Sequence, residues 1–154
     1  METKDYWIYK NKIIFKPNFN DKLDNYFNII SNYDNYNIAI ETNNKYCKDY
    51  KENYKLSKFN QQIIIPANVT RLTFGSDFNK QVIIPQSVTH LAFGKNFNQQ
   101  ITIPENVTQL TFGFDFNQQV TIPKNVTHLT FYCDFNQQVT IPENVTHLTF
   151  GTKF

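Results

Sequence analysis

Along the second part of the chain, apolar side chains return at a fixed interval of 19 residues. Within one interval, Val69, Leu72 and Phe74 stand as V-x-x-L-x-F, with polar residues between them. Leu72 and Phe74, two apart, share one face of an extended strand, while Arg71 and Thr73 take the other. The stretch is rich in β-branched and aromatic residues and ends at Gly75, which predicts a short strand with a turn behind it. A second apolar run, residues 63–65, stops at Pro66, whose nitrogen has no hydrogen to give a sheet ladder. A Phe-Asn pair turns the corner between the two runs.

The interval recurs five times without insertion or deletion. FNQQIIIPANVTRLTFGSD is followed by FNKQVIIPQSVTHLAFGKN, FNQQITIPENVTQLTFGFD, FNQQVTIPKNVTHLTFYCD and FNQQVTIPENVTHLTFGTK. One such unit cannot bury its own apolar face well enough to offset the entropy of ordering it. Stacked copies can, with strands pairing about 4.8 Å apart. The expected fold is therefore mostly β, a short solenoid of five 19-residue coils over residues 59–154. Phe59 and Phe74, with their equivalents, should form two aromatic columns inside. Asn60, Asn79, Asn98, Asn117 and Asn136 should form a ladder that bonds backbone groups left unpaired by the turns.

The pattern P-x-x-V-x-x-L-x-F-x-x-x-F-N resembles the leucine-rich repeat signature, in which each coil gives one strand to a curved sheet. At 19 residues the unit is shorter than the usual ~20–29, leaving little room for an outer helix. A flat outer side of β or 3₁₀ character is expected instead. The wording Phe-Asn-Gln-Gln-Ile/Val-x-Ile-Pro, then Val-Thr-x-Leu-x-Phe-Gly, more closely resembles the FNIP repeat family. That resemblance covers residues 59–154 and implies a leucine-rich-repeat-like solenoid of the kind found in social amoebae and in giant viruses of amoebae. Members that carry an F-box ahead of their repeats are assumed to recruit substrates to a ubiquitin ligase. Residues 1–58 hold no Leu-Pro-x-Glu-like opening and no Leu/Ile run of that form, so the ligase role does not carry over.

The N-terminal residues 1–58 are patterned differently. Tyr6-Trp7-Ile8-Tyr9 and residues 13–15 predict two short strands, and residues 36–40 a third. Asn20 or Asp21 would cap a helix whose apolar positions are Leu23, Tyr26, Phe27, Ile30 and Tyr33. Residues 43–58 are open between helix and loop. The expected organisation is a small α+β cap over the first coil, since a solenoid needs shielded ends. Docking of a separate partner is the alternative. At the other end Phe154 opens a sixth copy. The strand at residues 145–150 would then offer an open edge, so self-association through the C-terminal coil or capping by a protein partner is expected.

Charge sharpens the contrast between the halves. Residues 1–58 carry ten Lys against eight acidic side chains, while residues 59–154 carry five basic and five acidic ones. A neutral array is a poor mate for a phosphate backbone, so no nucleic-acid partner is expected. The opening METKDYWIYKNK has no apolar signal region, and no run of about 18 apolar residues could span a membrane. The expectation is an intracellular, cytoplasmic chain with reduced thiols and no membrane partner. The Asn-Val-Thr sequons at Asn68, Asn106, Asn125 and Asn144 then read as structural repeats, not glycosylation sites.

Chemistry is sparse. All four glycines occupy one repeat position, so there is no phosphate-cradling loop. No nucleophile motif or paired carboxylate is present, and Cys47 and Cys133 match no metal or redox spacing. No catalytic residue and no cofactor is expected, and no metal site is assigned. His90, His128 and His147 share one repeat position with Arg71 and Gln109. His128 and His147 would stand about one strand spacing apart and would hold a metal weakly, but with no third ligand evident they read as polar surface.

Differences among the five copies concentrate at that position, at Ser76/Lys95/Phe114/Cys133/Thr152, and at Ala67/Gln86/Glu105/Lys124/Glu143. The first two sets should lie on or beside the exposed strand face, the extended surface that solenoids use for recognition. Arg71, His90, Gln109, Phe114, His128 and His147 are therefore the candidate partner-binding residues, with Phe114 as the aromatic anchor. Drift at unconstrained positions would leave the same pattern. The leading expectation is a non-enzymatic protein-interaction module whose partner the sequence does not identify. The alternatives are a ubiquitin-ligation adaptor and a truncated repeat copy without a specific partner.

Overall fold

A computed structural model describes residues 6–9, 12–15, 36–39, 60, 63–65, 67–132 and 134–153. Among the described residues eight strands form one sheet in chain order: β1 Tyr6–Tyr9, β2 Lys12–Phe15, β3 Tyr36–Ala39, β4 Val69–Thr73, β5 His90–Ala92, β6 Gln109–Phe112, β7 His128–Phe131 and β8 His147–Thr149. β1 and β2 are an antiparallel pair, with Tyr9 opposite Lys12. Every later pairing is parallel. The three N-terminal strands fall where the sequence patterning places them, and β3 joins the array directly by pairing with β4 across a bulge at Tyr36/Asn37. The helix expected after Asn20 or Asp21, and residues 43–58, lie outside the described residues.

The repeat register is kept along the array. Leu72, Leu91, Leu110, Leu129 and Leu148 stand opposite one another on successive strands. This is the arrangement a strict period demands, because a shift of one residue would turn every leucine outward. Two aromatic columns run through the interior. Phe74, Phe93, Phe112, Phe131 and Phe150 stack with ring centroids 5.2–5.6 Å apart. Phe78, Phe97, Phe116 and Phe135 stack at 6.1–6.2 Å. Within each coil the two columns touch, as in Phe112–Phe116 at 4.0 Å.

The asparagine ladder is also present. The backbone N–H groups of Asn79, Asn98, Asn117 and Asn136 each donate to the Oδ1 of the asparagine one coil earlier, at 2.9–3.0 Å. The same oxygens of Asn79, Asn98 and Asn117 accept from the side-chain amides of Gln99, Gln118 and Gln137. The corner, which no β-ladder reaches, thus has its polar groups paired from coil to coil.

At the other corner, the carbonyls of Pro85, Pro104, Pro123 and Pro142 each accept the N–H of the valine three residues on, at 3.1 Å. The sequon asparagines Asn106, Asn125 and Asn144 donate their side-chain amides to the carbonyls of Gln86, Glu105 and Lys124, each at 2.8 Å. Ser87, which replaces asparagine in the second coil, bonds the carbonyl of Val69 instead. These residues have a structural task that explains their recurrence.

The outer side departs from the β or 3₁₀ character expected of it. Among the described residues the run before each proline belongs to no strand and no 3₁₀ turn. Its side chains still alternate: Val82 and Ile84 are buried and Ile83 is 88 % exposed between them. Proline takes a donor out of every rung there, so coil-to-coil bonding passes to the flanking asparagine side chains.

Candidate functional site

Register brings five of the six candidate residues into one line. Arg71, within β4, and His90, Gln109, His128 and His147, the first residues of β5–β8, are opposite one another. All but the half-buried His90 are exposed. They point away from the core because Leu72 and its equivalents, one residue on, point into it. The line is reinforced from beneath by a threonine ladder. Thr89, Thr108, Thr127 and Thr146 donate their hydroxyls to the carbonyl of the threonine one coil earlier, at 3.1–3.2 Å.

Each histidine leans on its neighbouring threonine. His90, His128 and His147 place Nδ1 2.8–2.9 Å from the hydroxyls of Thr89, Thr127 and Thr146. His128 and His147 stack face to face, with centroids 4.2 Å apart and planes within 4°. Burial first, then the Arg71 guanidinium and then His128, hold His90 below the ordinary imidazole pKa, so it stays neutral at pH 7.

Phe114 is not part of this line. It sits two residues past the end of β6, 44 % exposed. Its ring stacks on Tyr132 at 4.9 Å with planes 10° apart. Tyr132 lies outside the six candidate residues, yet its place in the repeat carries a signal. It occupies the place that Gly75, Gly94, Gly113 and Gly151 hold in the other copies. The candidate residues thus form two groups, a polar line across β4–β8 and an aromatic pair beyond the strand ends. Near the pair, Lys153 and Asp134 make an exposed ion pair at 2.6 Å.

On the outer side an open groove of about 1040 Å³ crosses the third to fifth coils, lined by Gln119, Thr121 and Pro123 with their equivalents. Its only ionisable lining groups are Glu105 and Lys124. Among the described residues no three His, Cys, Asp or Glu side chains are grouped to hold a metal ion.

The FNIP Repeat family model matches residues 59–96, 80–115, 97–122 and 116–153. The chain belongs to the FNIP repeat family. The crystal structure of CroV588, described as a novel circular LRR protein structure, is similar to this FNIP chain, with a TM-score of 0.57 and 27 % identity. The similarity covers 96 % of this chain and 32 % of that one, so the FNIP chain spans about a third of the neighbour's length. No curated protein matches. The FNIP coils are therefore coils of a leucine-rich-repeat-like β-solenoid, a scaffold typical of protein-interaction modules. Among the described residues no helix is long and apolar enough to cross a membrane.

Proposed function

We propose that this protein is a non-enzymatic recognition module that binds a protein partner along its outward strand face. Arg71, His90, Gln109, His128 and His147 would give a polar track, and Phe114 with Tyr132 an aromatic anchor. The observation that carries this reading is the register. It lines up one of the variable positions of the repeat on one outward surface while the interior repeats almost unchanged. The exposed aromatic stack adds the kind of group that dominates interfaces. Both groups are fixed by a scaffold that needs little reordering on binding, which lowers the entropic cost of association.

The test is capture from amoebal lysate by the full chain, beside a variant with Arg71, His90, Phe114, His128 and His147 all changed to Glu. These side chains are at least partly exposed, so the variant keeps its fold by circular dichroism. A partner held by the parent and lost by the variant is the expected result. Capture of the same partner by both would remove the strand face from the account and move attention to residues 1–58.

A further inference from the structure

His128 and His147 combine three features that go beyond a polar surface. They are opposite one another on adjacent strands, their rings are parallel at 4.2 Å, and both are exposed. Their hydrogen bonding also selects a tautomer. The hydroxyls of Thr127 and Thr146 stand 2.9 Å from Nδ1 of His128 and His147 and 3.2 Å from the carbonyls of Thr108 and Thr127. A hydroxyl has one proton. Both contacts of each threonine are hydrogen bonds only if the ring donates Nδ1–H to the hydroxyl oxygen and the hydroxyl donates onward to the carbonyl. In the other tautomer the hydroxyl proton goes to Nδ1 and the bond to the carbonyl is lost. In the neutral rings the complete relay puts the proton on Nδ1 and leaves the Nε2 lone pair of both facing outward.

This is the outer-shell arrangement that metal-binding histidines use, with Nδ1–H fixed by a protein acceptor and Nε2 presented as the ligand. We propose that His128 and His147 form a two-histidine site for a divalent transition ion of the Cu²⁺, Ni²⁺ or Zn²⁺ type, with water in the remaining positions. Imidazole nitrogen suits these ions. Parallel rings aim their Nε2 lone pairs side by side, so sharing one ion requires them to tilt toward each other about the threonine contacts; the two ligands sit on adjacent rungs of one sheet, so the second binds at high effective concentration. His90 stands two rungs from His128 with Gln109 between them, so it lies outside the pair. The inference does not depend on the protein-partner reading.

The experiment titrates Cu²⁺, and separately Ni²⁺ and Zn²⁺, into the full chain carrying Cys47→Ser and Cys133→Ser, which removes thiol binding. One ion per chain is expected, with Cu²⁺ held most tightly. His128→Gln and His147→Gln should each weaken binding at least about tenfold by leaving a single ligand, whereas His90→Gln should change nothing. Thr146→Val, which leaves His147 without its acceptor, should cost about tenfold. In parallel, Zn²⁺ should move the Nε2 resonances of His128 and His147 together in the otherwise unchanged chain and leave those of His90 in place. That readout does not depend on how well any histidine variant folds. Equal binding by the His147→Gln chain, loss in His90→Gln, or histidine resonances that stay put at millimolar Zn²⁺ would each overturn the proposal.

Discussion

Gly113→Ala is expected to be among the most damaging single changes in this chain, although it adds one methyl group. A β-carbon at Gly113 would lie 1.9 Å from the carbonyl oxygen of Gly94 and 2.5 Å from its carbon. Those are backbone atoms of the preceding coil, held by their own rung, so relief requires the two coils to part. Gly94 faces the same difficulty, with Gly75 O 2.1 Å from its β-carbon position. At Gly94 and Gly113 successive coils thus come too close for any side chain. The loss should reach about 3 kcal/mol or more, in the range reserved for severe steric defects. Urea denaturation of the full chain would show it as a large fall in midpoint. Tyr132 holds the same repeat place with a side chain, and at that rung its N–H bonds the carbonyl of Phe112, at 3.4 Å, while Phe112 pairs with Phe131. A Gly113→Ala chain with the parent's midpoint would mean that the coils are not stacked at this spacing.

The second large effect is expected at Phe112. Its ring is fully buried, between Phe93 and Phe131 in one column and against Phe116 of the other. Phe112→Ala should cost about 3–5 kcal/mol, the usual cost of emptying a buried phenylalanine site that cannot collapse. Collapse is blocked here because the neighbouring rings are held at coil spacing by the ladders on either side. In a linear array each coil touches only its neighbours, so the defect also weakens coupling between the coils before and after it. The unfolding transition should broaden as well as shift. Phe112→Leu, which refills much of the volume, should cost clearly less. A sharp transition with only a small shift in Phe112→Ala would show that the phenylalanine columns are not what joins the coils.

Much of this architecture is legible in the residues because the same physical problem is solved five times. V-x-x-L-x-F predicts the strands and their inward face, and the two phenylalanines per copy predict the columns. The repeated Asn after Phe predicts a ladder, since a corner that recurs without sheet bonding needs an acceptor in every copy. What could not be read depends on departures from the period. Phe114 and Tyr132 are 18 residues apart, not 19, so a column-by-column reading never brings them together. The outer run alternates as a strand would, with Ile83 out and Val82 and Ile84 in, yet forms no ladder because each rung ends in proline. The threonine beside each histidine looks like one more β-branched strand residue. Only the distances show that it links Nδ1 to the carbonyl of the preceding coil.

Stacking of the coils in register places the histidine line, the aromatic columns and the asparagine ladder together. Residue-resolved amide hydrogen exchange on the full chain tests this most directly. In-register stacking predicts that the N–H groups of Asn98, Asn117 and Asn136, each bonded to the preceding asparagine side chain, are protected nearly as well as the strand amides of β5–β7. The exposed turn positions Glu105 and Lys124 should exchange far faster. Asparagine amides that exchange as quickly as those two would contradict the stacking, and with it the aligned face.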